Sequence, residues 1–133
     1  MCCVVLIVED DPIVRMGAVA IAEETADKVY EAESADAAIP VLESNPDVTL
    51  LFTDIDMPGS IDGLQLAEVV HRRWPAIRLI VTSGRIALND DQVPDDGVFI
   101  GKPYYPENIR AAIREAHAQI SGSPAPDRQG SDL

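Results

Sequence analysis

The sequence is short of positive charge. Ten lysines and arginines stand against 23 aspartates and glutamates, a formal net charge of −13 over 133 residues. A field of that sign repels nucleic acid phosphates and anionic membrane surfaces, and it suits cationic partners or a bound cation. Much of this charge also fits a solvated acidic surface. Cysteine is scarce: Cys2 and Cys3 are adjacent and there are no others. Neighbours in sequence rarely meet the geometry of a disulfide, and no Cys–His spacing of a metal site is present. A reducing, cytoplasmic compartment is therefore expected. The opening Met-Cys-Cys-Val-Val-Leu-Ile-Val lacks the basic start and small-residue cleavage site of a signal peptide. No apolar run is long enough to span a bilayer, so no membrane association is expected. There is no internal repeat and no segment that reads as a second domain.

What the sequence does have is an alternation of short apolar runs and amphipathic stretches. Val4 to Val8 is apolar throughout and ends in Glu9-Asp10-Asp11, which reads as a strand buried on both faces. Asp11-Pro12 opens a helix, with Asp11 as N-cap rather than metal ligand. Ile13, Gly17 and Ile21 fall on one face of it, with Val14 and Ala18 beside them. Val29 to Ala32 is a partly polar strand suited to an edge. Ser34 caps a helix through Leu42, which Pro40 should kink or shorten. Val48 to Thr53 is a buried strand ending at Asp54, and Asp62-Gly63 leads into a helix whose face carries Leu66, Val69, Val70 and Trp74 before Pro75 stops it. Leu79 to Thr82 and Val98 to Ile100 are the remaining strands. Between them, Arg85 to Gly97 is rich in Asp, Pro and Gly, so a helix there is short or irregular. Pro106 starts the last helix, with Ile109, Ala112, Ile113, Ala116 and Ile120 at helical spacing. The pattern predicts one domain over residues 1–120 and a disordered tail over 121–133.

Strands alternating with helices specify an α/β fold: an open, doubly wound, five-stranded parallel sheet with helices on both faces. Such sheets bind ligands beyond the carboxyl ends of their strands, at a topological switch point. Glu9 and Asp10 follow the first strand, Asp54 ends the third, Thr82 the fourth, and Lys102 follows the fifth. Converging carboxylates repel one another, and a hard divalent cation with a taste for oxygen, such as Mg²⁺, relieves that conflict. Phosphoryl transfer needs little beyond positioning and charge neutralisation. Asp54 can serve as nucleophile, Lys102 can pair with a phosphoryl oxygen and the Thr82 hydroxyl can donate to another.

The stretches Val-Leu-Ile-Val-Glu-Asp-Asp-Pro, Leu-Phe-Thr-Asp-Ile-Asp-Met-Pro-Gly, Val-Thr-Ser-Gly and Gly-Lys-Pro-Tyr occur in order over residues 4–120. Together they resemble the receiver domain of two-component response regulators, of the single-domain, chemotaxis-regulator-like type. The resemblance implies a flavodoxin-like strand order of 2-1-3-4-5. It implies that Asp54 is the phospho-acceptor, that Glu9, Asp10, Asp54 and the carbonyl of Asp56 bind Mg²⁺, and that Thr82 and Lys102 assist. Thr82 and Phe99 match the switch positions, although Phe99 reads equally as core, and Pro103 is expected to follow a cis peptide bond. The implied partners are a sensor histidine kinase or histidine phosphotransfer protein and a downstream protein target. No nucleic acid is expected as a partner; a homodimer stays open. No output domain follows in this sequence, so the signal is expected to leave by protein contact.

The sequence departs from the family pattern in three places. The acidic pair is Glu-Asp rather than Asp-Asp, the loop after Asp54 is one residue longer, and the segment from Thr82 to Phe99 is short. Tyr104 and Tyr105 are expected to pack, His71 and His117 to face solvent, and Cys2 and Cys3 to lack chemistry. Two other readings compete. Asp54-Ile-Asp56 also resembles the nucleophile and general acid of haloacid-dehalogenase-type phosphatases, but that family places its extra acids after the lysine, and there is no room here for a cap domain. A receiver-like contact module that is never phosphorylated would have no need of the full residue set.

Overall fold

The computed structural model describes residues 3–55, 62–83, 97–101 and 105–120. Five strands, β1 (Val4–Val8), β2 (Lys28–Ala32), β3 (Leu50–Asp54), β4 (Arg78–Ser83) and β5 (Val98–Gly101), form one sheet in the order β2-β1-β3-β4-β5. Every pairing is parallel. The helices are α1 (Pro12–Thr25), α2 (Ala35–Ser44), α3 (Gly63–Arg73) and α4 (Pro106–Ile120). The segment in which a short or irregular helix is expected, and the tail after residue 120, lie outside the described residues.

The period of two along each strand sorts side chains to two cores. Val4, Leu6 and Val8 of β1 join Leu51, Leu79 and Val81 under Ala38 and Leu42 of α2 and Leu66 and Val70 of α3. Val5 and Ile7 turn the other way, with Leu50, Phe52 and Ile80, under Ala18 and Ala22 of α1 and Ile109 and Ile113 of α4. Because helices cover both faces, β1 and β3 are buried at all of their positions. The polar β2 is an edge strand, as expected.

Several local expectations need correction. The inner face of α1 is not the stripe through Ile13 and Gly17: Ile13 is 79% exposed, Met16 is 69% exposed, and the buried residues are Ala18 and Ala22. Small side chains there let α1 lie close to the sheet and to α4. Pro40 neither ends nor shortens α2, which continues to Ser44. Proline removes one N–H from the helix ladder, and at an exposed position the ring has room outside. Tyr105 is 69% exposed rather than packed. His71 and His117 are half-buried rather than solvent-facing, because an imidazole can lay its apolar body along its own helix.

Candidate functional site

The strand order places β1 and β3 side by side while the chain leaves them in opposite directions, β1 toward β2 and β3 toward β4. Their carboxyl ends therefore open a crevice, the switch point at which this kind of sheet accepts ligands. Glu9 and Asp10 stand at one side of it and Asp54 at the other.

The β1 end is held by backbone contacts. The Glu9 N–H donates to the Ala32 carbonyl at 3.1 Å, and the Glu9 carboxylate accepts from the Asp11 N–H at 3.1 Å. Asp11 caps α1 as expected: its side chain accepts from the N–H groups of Ile13 at 2.9 Å and Val14 at 3.3 Å. Arg15 reaches back from the first turn of α1 to donate to the Glu9 carbonyl at 2.9 Å.

The β3 end is held from three sides. The Ile55 N–H donates to the Thr82 carbonyl at 2.8 Å, continuing the ladder one residue past Asp54. The Thr53 hydroxyl donates to the Asp54 carbonyl at 3.0 Å. Gly63, the first residue of α3, packs its backbone against the same peptide. A Cβ built there collides with the Asp54 carbonyl oxygen and lies 2.6 Å from the carbonyl carbon. The helix that begins there is secured by a capping box in which Asp62 and Gln65 bond each other's backbone N–H groups, at 2.8 and 2.9 Å.

Carboxylate oxygens of Glu9, Asp10 and Asp54 all lie within 4.8 Å of one another. Glu9 and Asp54 are buried, at 4% and 2% exposure, while Asp10 is exposed. Like charges held this close in a low-dielectric rim repel. An oxygen-seeking divalent cation relieves the repulsion, and this donor set fits one. Thr82 is directly opposite Asp54 in the β3–β4 register. It is fully buried, and among the described residues its hydroxyl oxygen has no hydrogen-bond partner. Such a group ordinarily costs about 1–3 kcal/mol to leave unsatisfied, which makes it a donor in wait of an acceptor. Ser83 is also buried at this rim.

Phe99 lies on β5 opposite Val81, half-buried against the core under α2 and α3. The described part of β5 ends at Gly101. Lys102, Pro103 and Tyr104, like Asp56, lie outside the described residues. Of the predicted site residues, the fold thus gathers Glu9, Asp10, Asp54 and Thr82 at one rim. Residue-type reasoning missed Arg15, Thr53 and Gly63. The only signal was the Asp-Gly pair before an amphipathic stretch, a glycine where most helices begin with a better helix former.

Among the described residues no helix is long and apolar enough to cross a membrane. The family model of the response regulator receiver domain matches residues 5–114. The KDP operon transcriptional regulatory protein KdpE of Escherichia coli (strain K12) is 30% identical over 129 residues, covering 92% of this chain and 55% of that protein. The sensor kinase CckA of Brucella abortus (strain 2308) is 30% identical over 118 residues, 84% of this chain but 12% of that protein. This chain thus spans from about an eighth to just over half of these curated relatives. Among solved structures, a CheY-like response regulator receiver domain protein from Methanospirillum hungatei JF-1 superposes with a TM-score of 0.80 at 26% identity, covering 92% of this chain and 98% of that one. The phosphatase and contact-module readings give way to this match. With the acids gathered where the fold binds its ligands, the chain belongs to the response regulator receiver domain family.

Proposed function

We propose that Asp54 accepts a phosphoryl group beside a bound Mg²⁺, and that the altered rim is read by a partner protein. The observation that carries this reading is the meeting of three carboxylates within 4.8 Å at the switch point of the sheet. Glu9, Asp10 and Asp54 would hold the ion, with the Asp56 carbonyl as a further ligand by family resemblance. Bound there, Mg²⁺ supplies neutralisation of charge on the phosphoryl oxygens. The protein's own part is positioning. An Asp54 carboxylate oxygen forms the new bond to phosphorus as the bond from phosphorus to the donor breaks, and the bonding pair leaves with the donor group. The Thr82 hydroxyl, buried and without a partner among the described residues, donates to one phosphoryl oxygen. Lys102, the residue that follows β5 in the sequence, pairs with another by family resemblance.

Receiver domains of this kind work with histidine kinases and downstream effectors. For this chain we read the donor as a sensor histidine kinase or histidine phosphotransfer protein and the reader as a protein target, within the cytoplasm. The receiver unit is taken as residues 1–120. Phosphorylation favours an active conformation in which Thr82 and Phe99 rearrange, rather than creating a new one. The net charge of −13 opposes direct contact with nucleic acid.

Intact-mass measurement after incubation with acetyl phosphate tests the reading. Wild type gains one phosphoryl group in the presence of Mg²⁺ and none without it, and Asp54→Asn gains none. Equal labelling of Asp54→Asn removes Asp54 from the role.

A further inference from the structure

Arg15 makes a contact that the receiver reading does not require. Its Nη1 donates to the Glu9 carbonyl at 2.9 Å, and its Nε donates to Glu31 Oε1, also at 2.9 Å. Glu31 lies on the edge strand β2, in register with Ile7 of β1. The Arg15 side chain is only 20% exposed, whereas Glu31 is 52% exposed. Taken as a surface ion pair, this contact is worth little. Its geometry carries more than its charge. The carbonyl that Arg15 holds belongs to the peptide plane joining Glu9 to Asp10, the two acids at the β1 side of the crevice. With β1 fixed, rotation of that one plane re-aims Asp10 relative to Glu9. The preceding peptide is tied to β2 by the Glu9 N–H, which donates to the Ala32 carbonyl at 3.1 Å.

We infer that Arg15, aimed by Glu31, is a positioning residue that fixes the Glu9–Asp10 peptide so that both carboxylates face one cation pocket. The functional consequence rests on the metal-binding reading above; the geometric claim does not.

Charge alone predicts the opposite outcome, which makes the inference testable. A guanidinium on the Glu9 carbonyl adds positive charge on the β1 side of the crevice and opposes a bound cation, so its removal tightens Mg²⁺ if charge is its whole contribution. Loss of positioning weakens Mg²⁺ instead. Arg15→Met keeps much of the apolar stem and removes the donors. We expect it to raise the Mg²⁺ concentration for half-maximal acetyl phosphate labelling by about tenfold. The rate at saturating Mg²⁺ stays within about twofold of wild type. Glu31→Gln has a smaller effect and adds nothing in the Arg15→Met background, because the two act through one contact.

A second readout uses metal-free protein. Amide hydrogen exchange at Glu9 and Asp11, followed by NMR, should accelerate about tenfold in Arg15→Met, while amides of Leu50–Asp54 keep their wild-type protection. Unchanged exchange at Glu9 and Asp11 overturns the positioning role, whatever the metal does. Tighter or unchanged Mg²⁺ half-saturation overturns it as well. A wild type indifferent to Mg²⁺, with the exchange effect present, supports the Arg15 geometry and counts against the metal-binding reading alone.

Discussion

Gly17 and Gly63 sit in opposite circumstances. Both belong to helices that open on an aspartate N-cap, Asp11 before α1 and Asp62 before α3. A Cβ on Gly17 meets nothing within 4 Å. A Cβ on Gly63 runs into the carbonyl group of Asp54 and lies 2.9 Å from the Ile55 Cα. The same residue type is spare in one helix and irreplaceable in the other. The difference teaches how the two sides of the crevice are supported. On the β3 side, backbone lies directly on backbone, and no side chain fits between. On the β1 side, α1 packs through Ala18 and Ala22, shows Ile13 and Met16 to solvent, and supports the acids through the long reach of Arg15.

The largest expected effect breaks the comparison at Gly63. Gly63→Ala must displace either α3 or the Asp54 peptide, and we expect it to cost about 3 kcal/mol or more in urea unfolding. Wild-type stability in this variant would mean that the close approach is not needed. The caps come next. Asp62→Ala removes the acceptor of the Gln65 N–H and Asp11→Ala the acceptor shared by the Ile13 and Val14 N–H groups, and each should cost about 1 kcal/mol in the same measurement. Equal losses at the two caps, beside unequal effects at the two glycines, would locate the asymmetry in packing rather than in helix initiation. Gly17→Ala should stabilise by about 0.5–1 kcal/mol, since open space and helix propensity both favour alanine; destabilisation would show an unseen neighbour.

The smallest effect concerns the far end of α1. Glu24 is tied to Arg110 of α4 by two hydrogen bonds, at 2.8 and 3.2 Å. That partner holds the Glu24 carboxyl below its ordinary range. A depressed carboxyl contributes stability above its unfolded-state pKa and loses it as pH falls through the folded value. The difference in Tm between wild type and Glu24→Gln should therefore be small at neutral pH and shrink on acidification. A difference that grows in acid would contradict the assignment.

These contrasts also mark how far the sequence could be read. Val4–Val8 was legible because five consecutive apolar residues bounded by acids admit few alternatives to a doubly covered strand. Asp54 and Thr82 were legible because each ends such a run, and strand ends are where this fold keeps its ligands. The inner face of α1 was not. From Pro12 to Ala22 the helix is apolar nearly all round, so periodicity cannot choose a stripe, and the tight packing that selected Ala18 and Ala22 is a tertiary fact. The shortening expected at Pro40 does not occur because a propensity penalty is outweighed when the ring is exposed and the helix is packed on both flanks of it through Ala38 and Leu42. Arg15 and Gly63 were invisible for a related reason. Their work is done on the backbone of Glu9 and Asp54, which are near in space but several residues away along the chain.

The central claim is that the gathered acids serve one acceptor, and it is tested most directly by locating the phosphoryl group chemically. An acyl phosphate on aspartate is reduced by borohydride to homoserine, which leaves a stable mark for peptide mass mapping. After labelling with acetyl phosphate and Mg²⁺, the account predicts homoserine at position 54 alone, and none once the metal is chelated before labelling. Homoserine at position 10, or a mark at position 54 that forms equally well without Mg²⁺, would contradict it.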